Sequence, residues 1–209
     1  MTQAASPRRR APFTWGYIPP APVEPAQQKA LLEAERQALP TLIKEQGGVC
    51  AACGFPAGRA LRGYRAPDED NPPWQGVCPL CLAALDWSRA PDGAQLIYLP
   101  EWPHERLNLH LHTLFSVMYG PDADLQDTAD LAFEELQLRG QHMQTLFAHF
   151  EASPALVCQA YWALSEDQMA GAKRLLEKAR VLISPERLGA ALEYWRAHRY
   201  PQWRAGRER

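Results

Sequence analysis

Two Cys-x-x-Cys pairs are the part of this chain whose residue types and spacing could do chemistry. The first pair is Cys50 and Cys53, and the second is Cys78 and Cys81. Four soft thiolates at this spacing suit one tetrahedral zinc ion, because each pair can form a tight turn whose two sulfurs face the same point. Gly54 follows the first pair, where such a turn needs a positive φ. The sequence therefore predicts one zinc site with these four cysteines as ligands.

Disulfide pairing is the alternative for four cysteines, and the rest of the sequence argues against it. The chain has no charged start followed by an apolar run and a small-residue cleavage site, and it has no apolar stretch of about 18 residues. We therefore expect neither secretion nor membrane insertion, and in a reducing cytoplasm paired cysteines more often bind metal. Because four Cys ligands leave no coordination position open, the predicted role of the zinc is structural. The fifth cysteine, Cys158, is predicted to be a core residue of an apolar helix.

Length and charge set wide bounds on function. A chain of 209 residues can build one good core or two small ones. Its 22 basic and 24 acidic side chains do not favour a dedicated DNA-binding protein, which usually has a net positive face. Basic residues do concentrate near both ends, with tryptophans among the later ones, and such a mixture could contact nucleic acid. A solvated helix end and tail explain them equally well: Arg8, Arg9, Arg10, Trp195, Arg196, Arg199, Trp203, Arg204, Arg207 and Arg209.

Three regions must position the cysteines. Recurrent prolines in residues 1–25 predict an extended arm. Apolar periodicity predicts a helix from Ala26 to Gln46, which ends at a Gly-Gly pair. We expect a zinc-binding domain with flanking helices over residues 26–119, and a helical region over residues 120–209 that packs on it.

The segment that holds the cysteines is predicted to contain short strands. Arg59 to Arg65 is predicted to be a strand, Pro67 to Pro73 an acidic loop, and Gln95 to Leu99 a second strand. Cys81 is predicted to open a short helix. The resulting fold class is α+β, with a small ββα zinc-knuckle core embedded in a mostly helical chain.

Helices are predicted for all of the remaining chain. The caps are Ser165 for one helix and Ser184-Pro185 for the last one. The predicted helices are Glu105 to Tyr119, Leu125 to Phe150, Val157 to Leu164, Glu166 to Ile183, and a final one that starts at Ser184-Pro185.

Two zinc knuckles around a hairpin, followed by a helix, also describe the ββα-metal core of HNH-type nucleases. Such nucleases need a His on the hairpin strand to activate water, and a further His or Asn to hold the catalytic ion. No His lies between Cys53 and Cys81, and the only Asn in that segment is Asn71. Since loss of the general base removes most of the catalysis that such a site provides, the sequence predicts an HNH-like scaffold without nuclease chemistry.

The histidines nearest to the zinc region are His104, His110 and His112. On a helix, His110 and His112 point to different sides, so the spacing does not favour a second metal site. Phosphate-binding, dinucleotide-binding and serine-hydrolase motifs are absent from the sequence. Two alternatives stay open: a metal-dependent nuclease that uses His104 or His110, and a zinc-stapled DNA-binding protein that uses the terminal arginines.

Several short motifs keep the order and spacing of one known family. The motifs are Cys50-x-x-Cys53-Gly54-Phe55, Val77-Cys78-x-x-Cys81, Leu96-Ile97-Tyr98-Leu99-Pro100-Glu101, Leu107-Asn108 and Leu114-Phe115. By these motifs the chain resembles the IcmJ/DotN family of type IVB secretion systems. The resemblance is specific over residues 45–119 and does not extend to residues 1–25. It is looser in the later helices, where Leu182-Ile183-Ser184-Pro185 and Glu193-Tyr194-Trp195 look similar to the family's end.

The resemblance implies an adaptor, not an enzyme, with an HNH-like zinc fold whose ligands are Cys50, Cys53, Cys78 and Cys81. It implies a place in the coupling complex of a secretion or conjugation machine, at the cytoplasmic face of the inner membrane. The implied partners are an extended C-terminal segment of the hexameric coupling ATPase and the other coupling-complex subunits. Grooves between the later helices could take such a segment. The tryptophans there, Trp162 and Trp195, are either part of such grooves or part of the core.

Overall fold

The structure, a computed structural model, describes residues 23–66, 73–146 and 153–202. These residues form seven α-helices and two antiparallel two-stranded sheets, so the predicted α+β class is confirmed. Nearly all of the predicted N-terminal arm and of the predicted acidic loop lies outside these ranges.

The first helix and the first hairpin form one layer of the region that carries the four cysteines, which we call the cysteine region. Helix α1 spans Pro25–Glu45, close to the predicted bounds. Strands β1 (Arg62–Tyr64) and β2 (Gln75–Val77) pair antiparallel, and α1 lies against both. The predicted strand from Arg59 to Arg65 is wrong at its start, because Gly58–Ala60 form a 3-10 turn.

A second helix carries the later cysteine pair. Helix α2 spans Pro79–Leu85, so it begins earlier than the predicted start at Cys81. Pro79 explains the difference, since its fixed φ and missing N–H suit the first position of a helix. A 3-10 turn at Trp87–Arg89 then leads to strand β3, Gln95–Tyr98, which matches the second predicted strand.

Three further helices follow near their predicted bounds. They are α3 (His104–Met118), α4 (Ala123–Leu146) and α5 (Pro154–Trp162). Helix α4 packs against both α3 and β3, which joins the cysteine region to the later part of the chain. The predicted end of α4, at Phe150, lies outside the described residues.

The predicted helix from Glu166 to Ile183 is wrong in its second half. Helix α6 spans Glu166–Leu176, and strand β4 follows at Ala179–Leu182 and pairs antiparallel with β3. All four residues of β4 are buried. A segment that is enclosed on every side satisfies its backbone by pairing with another strand, and this contact overrides local helical preference. The predicted cap is confirmed, since the Ser165 backbone N–H donates to Gln168 Oε1 at 3.0 Å.

The C-terminal part of the described chain returns to the cysteine region. A 3-10 turn at Pro185–Leu188 precedes helix α7, Ala190–His198. The single helix predicted from Ser184-Pro185 is therefore wrong, because the backbone of Gly189 (φ 49°, ψ −127°) leaves the helical region. Trp195 of α7 is fully buried, and its Nε1 donates to the Ala57 carbonyl at 3.1 Å. No helix in the described ranges combines the length and apolar character needed to cross a bilayer.

Candidate metal centre

The four predicted cysteines converge on one point. The Sγ atoms of Cys50, Cys53, Cys78 and Cys81 all lie within 4.8 Å of one another, and those of Cys53 and Cys78 are 3.9 Å apart. A tetrahedral site with Zn–S bonds of about 2.3 Å has sulfur–sulfur edges of about 3.8 Å, whereas a disulfide needs about 2.05 Å. All four thiols are free. The cluster can therefore hold one metal ion.

The turn that carries Cys50 and Cys53, here called the first knuckle, is closed by hydrogen bonds of its own backbone. The turn that carries Cys78 and Cys81 is the second knuckle. Cys50 N–H donates to the Phe55 carbonyl at 2.8 Å, and Gly54 N–H donates to the Cys50 carbonyl at 3.0 Å. Gly54 has φ 78°, a left-handed conformation that L side chains avoid. The positive φ predicted at this position is confirmed.

Hydrogen bonds hold the second knuckle against the first. Cys78 is the N-cap residue of α2, and Cys81 lies in its first turn. The backbone N–H of Cys78 donates to Cys50 Sγ at 3.2 Å. This hydrogen bond links the second cysteine pair directly to the first. The backbone N–H of Ala51 also donates to the Gly76 carbonyl of β2 at 2.9 Å. The hairpin, the knuckle and the start of α2 thus form one unit.

Burial controls the protonation of the cluster. Cys50, Cys78 and Cys81 are completely enclosed. Burial, together with hydrogen bonds to Cys50 and Cys53, raises the pKa of the Cys78 and Cys81 thiols well above their ordinary value. Burial opposes ionisation of Cys50 too, but hydrogen bonds from the other three thiols lower its pKa well below the usual range. Because all four cannot ionise together without a cation, metal binding must release protons.

Asn108 supports the cluster and was not predicted as a site residue. This α3 side chain is 1% exposed, and its Nδ2 donates to Cys81 Sγ at 3.3 Å. Such a bond orients a metal ligand and lowers the charge that the ligand carries. Its Oδ1 has no hydrogen-bond partner among the residues described. A signal was present in the sequence, since the buried polar residues of α3 recur every four residues, at His104, Asn108, His112 and Ser116.

His112 packs in a cluster of aromatic rings beside the first knuckle. Its ring stacks on Phe55, with centroids 3.5 Å apart and an interplanar angle of 10°, and meets Trp195 edge-on at 4.8 Å. Its Nδ1 lies 3.5 Å from the Tyr200 hydroxyl. Burial lowers the pKa of His112 to about 3, against the opposing effect of the nearby Cys50. The imidazole is therefore neutral at physiological pH.

The other two histidines of this helix do not join the cysteine cluster. His104 is 1% exposed, and His110 is half-buried with its ring edge-on to Trp102. Over residues 23–66, 73–146 and 153–202, the four cysteines are the one group of three or more His, Cys, Asp or Glu side chains whose ligand atoms converge.

Side chains of α1 and of its C-cap residue occupy the middle of the β1–β2 hairpin. Gly63 and Gly76 face each other across the two strands. Glu35 Oε1 accepts from Gly63 N–H at 2.9 Å, and Glu35 Cγ lies 2.7 Å from where a Cβ at position 63 would stand. Gln46 Oε1 accepts from Gly76 N–H at 2.6 Å and takes up the equivalent space there. The central strand positions thus offer no reactive side chain.

A partly buried ion pair fixes α1 on this hairpin. Arg89 Nη2 contacts Glu35 Oε2 at 2.7 Å, and Arg89 Nη1 donates to the Gly63 carbonyl at 3.1 Å. Glu35 is only 6% exposed, so removal of Arg89 would leave a buried carboxylate without a cation. Sequence reasoning missed this pair because the two residues meet only in the tertiary fold.

The remaining residues that the sequence analysis singled out are a fifth cysteine, two tryptophans, an asparagine and the last arginines. Cys158 is 3% exposed, which confirms the predicted core position, and burial raises its pKa to about 11. Trp195 is a core residue, whereas Trp162 is 38% exposed. Asn71 and the arginines after residue 202 lie outside the described residues.

The fold and the site define a class: an α+β protein with a buried cluster of four cysteines that can hold one metal ion. In comparisons with protein-family models and with curated proteins, this sequence gives no match.

Proposed function

We propose that the chain is a non-catalytic adaptor subunit of a type IVB secretion or conjugation coupling complex, and that its cysteine cluster holds one structural zinc ion. It binds the C-terminal extension of the coupling ATPase and helps to present substrates at the cytoplasmic face of the inner membrane. The resemblance of its cysteine, Leu-Ile-Tyr-Leu-Pro-Glu and Leu-Asn motifs to the IcmJ/DotN family supports this assignment.

The chemistry of the donors supports zinc. Four thiolates whose sulfur atoms lie within 4.8 Å of one another suit a borderline-soft ion with no preferred d-electron geometry. With Cys50, Cys53, Cys78 and Cys81 as its four ligands, a zinc ion would have no coordination position left for water or substrate. Zinc would therefore act on folding, because it fixes two knuckles that are 25 residues apart at Cys53 and Cys78.

The hairpin is the observation that carries the non-catalytic assignment. An HNH nuclease needs a His on this hairpin, and the segment between Cys53 and Cys81 has none. At the centre of the two strands, Gly63 and Gly76 face each other, and α1 fills the space beside them. Neither strand centre offers a general base.

The nuclease and DNA-binding alternatives are less well supported. His104 is buried away from solvent, and His110 packs edge-on against Trp102. For DNA binding, Trp195 cannot stack on bases, because it is fully buried and bonded to Ala57.

Co-expression with the C-terminal segment of the coupling ATPase encoded in the same gene cluster tests the proposal. Size-exclusion chromatography, followed by a zinc assay of the peak, should give co-elution in a fixed ratio with about one zinc per chain. Cys53→Ser should lose both zinc and partner, whereas Cys158→Ser, which changes a buried cysteine outside the cluster, should keep both. Zinc without co-elution would contradict the adaptor function.

A cleavage assay on the same purified protein tests the nuclease alternative. Supercoiled plasmid DNA incubated with Mg²⁺ or Mn²⁺ should remain uncut. Metal-dependent nicking that His104→Ala or His110→Ala abolishes would establish a nuclease instead.

A further inference from the structure

Two guanidinium groups converge on the ring of Tyr194. Arg59 Cζ lies 4.7 Å from the ring centroid, and Arg199 Cζ lies 5.5 Å from it. The His198 ring is also close, with its centroid 5.1 Å from that of Tyr194. Arg59 comes from the turn after the first zinc knuckle, and the other three residues come from α7 and its C-cap. We refer to these four residues as the Tyr194 basic cluster.

No acidic side chain balances this cluster within the described part of the chain. The three ion pairs found there involve other arginines. The Nε atom of Arg199 is shielded from solvent and has no hydrogen-bond acceptor among the same residues. Two like charges held beside one ring repel each other, and a buried donor without an acceptor costs free energy. An anion bound at the guanidinium groups of Arg59 and Arg199 would relieve the repulsion between the two charges.

The cluster is held in place by its packing on the knuckle loop. Gly58 has φ +60°, and a Cβ there would collide with the Tyr194 hydroxyl and Arg199 Nη2, and would come within 2.8 Å of Arg199 Nε. The loop backbone therefore lies directly against both side chains. The adjacent bond from Trp195 to the Ala57 carbonyl fixes α7 at the same point. Donors that are already in position lose little conformational entropy when a ligand binds.

We propose that the Tyr194 basic cluster binds a carboxylate of an acidic peptide segment in a partner protein. The guanidinium fork matches a carboxylate, with two parallel N–H donors for its two oxygens. Nucleic acid fits less well, because it is held by a track of roughly 6–10 phosphate contacts, whereas this cluster is a single site on a chain of net charge −2. The identity of that segment as the extension of the coupling ATPase rests on the function proposed above.

Binding measurements with the full zinc-loaded chain test the assignment. The fluorescent probes are the ATPase C-terminal segment, a decapeptide rich in glutamate, the same decapeptide with glutamine in place of glutamate, and a single-stranded oligonucleotide. The variants are Arg59→Gln, which removes an exposed charge, and Arg199→Lys, which keeps the charge but loses the fork. Arg106→Gln is the matched control, because Arg106 is an exposed arginine stacked on a different ring, that of Trp102.

The expected result is that the glutamate peptide and the ATPase segment bind, and that each variant weakens both by about tenfold or more. The glutamine peptide should not bind, and Arg106→Gln should match the wild type. Zinc content and melting temperature should be unchanged in Arg59→Gln, which shows that the fold is intact.

Three outcomes would overturn the assignment: no binding of either acidic probe, equal binding by Arg59→Gln and wild type, or arginine-dependent binding of the oligonucleotide alone.

Two results separate this inference from the adaptor function. If the ATPase segment binds all variants equally, the adaptor function stands and the cluster assignment fails. If only the glutamate peptide binds, and does so through the arginines, the cluster stands and the ATPase partner is wrong.

Discussion

Replacing Asn108 with Leu should weaken metal binding without weakening the metal-free fold. The Asn108 amide donates to Cys81 Sγ at 3.3 Å, in a place that is 1% exposed. Loss of such a bond to a metal ligand typically costs about 10–100-fold in metal affinity, which is about 1.4–2.7 kcal/mol. The same substitution removes the Oδ1 atom, a buried acceptor with no partner in the described chain. Since an unsatisfied acceptor costs about 1–3 kcal/mol, the metal-free variant should be at least as stable as the wild type.

Two measurements separate these effects. Competition with a chromophoric chelator gives the zinc affinity, and urea unfolding in EDTA gives the stability of the metal-free chain. Asn108→Asp should lose more affinity than Asn108→Leu, because it places a second negative charge beside the thiolates. Ser116→Ala is the matched control: Ser116 is buried on the same face of α3, but it donates to the Thr113 carbonyl and not to a cysteine.

Unchanged zinc affinity in Asn108→Leu would refute this reasoning, because the amide would then contribute nothing to the site. A loss of metal-free stability as large as the loss of zinc affinity would refute it as well, since the residue would then act only in packing.

Three further predictions concern the frame around the site. Arg89→Met should lower the free energy of unfolding by about 3 kcal/mol, because it leaves the buried Glu35 carboxylate without its cation. The double variant with Glu35→Gln and Arg89→Met should lose less free energy of unfolding in urea than Arg89→Met alone. An equal or larger loss in the double variant would mean that the unpaired Glu35 carboxylate is not the cause. Burial lowers the pKa of His104 from 6.5 to about 3. Because the unfolded chain takes up this proton first, the free energy of unfolding is highest above about pH 6.5 and falls by up to about 1.4 kcal/mol per pH unit below that. His104→Gln should show a shallower decline between pH 6.5 and 5 than the wild type, and identical slopes would rule out this role for the imidazole. Trp195→Phe should cost about 1–3 kcal/mol in urea unfolding, because the Ala57 carbonyl loses its buried donor; no measurable loss would show that this bond does not hold α7 in place.

The metal centre could be predicted from sequence because its information is local. Each Cys-x-x-Cys pair forms its own turn, and Gly54 marks where the first turn needs a positive φ. Most helices could also be predicted, because apolar periodicity is a local pattern in the sequence. Only their ends differ, as where Pro79 starts α2 ahead of Cys81.

The second sheet could not be predicted in the same way. Strand β4 pairs with β3, and Leu96 lies opposite Val181 far along the chain. The run from Ala179 to Leu182 follows α6 after a short turn, and its apolar residues fit a helix as well as a buried strand. Only the contact with β3 decides between them.

The supporting residues were missed because their partners come from distant elements. Asn108 reaches Cys81 from α3, and Glu35 reaches Arg89 from α1. Helical spacing shows that a polar residue lies on a buried face, but it does not show which group that residue meets.

The metal content of the purified protein tests the central claim most directly. Mass spectrometry under native conditions, with elemental analysis of the same sample, should give one zinc per chain for the wild type and for Cys158→Ser. Cys53→Ser should give none and should unfold at a lower urea concentration than the zinc-loaded wild type, because the two knuckles are no longer joined. Zinc retained by Cys53→Ser, or a purified wild-type chain that carries no zinc, would contradict a structural zinc held by these four cysteines.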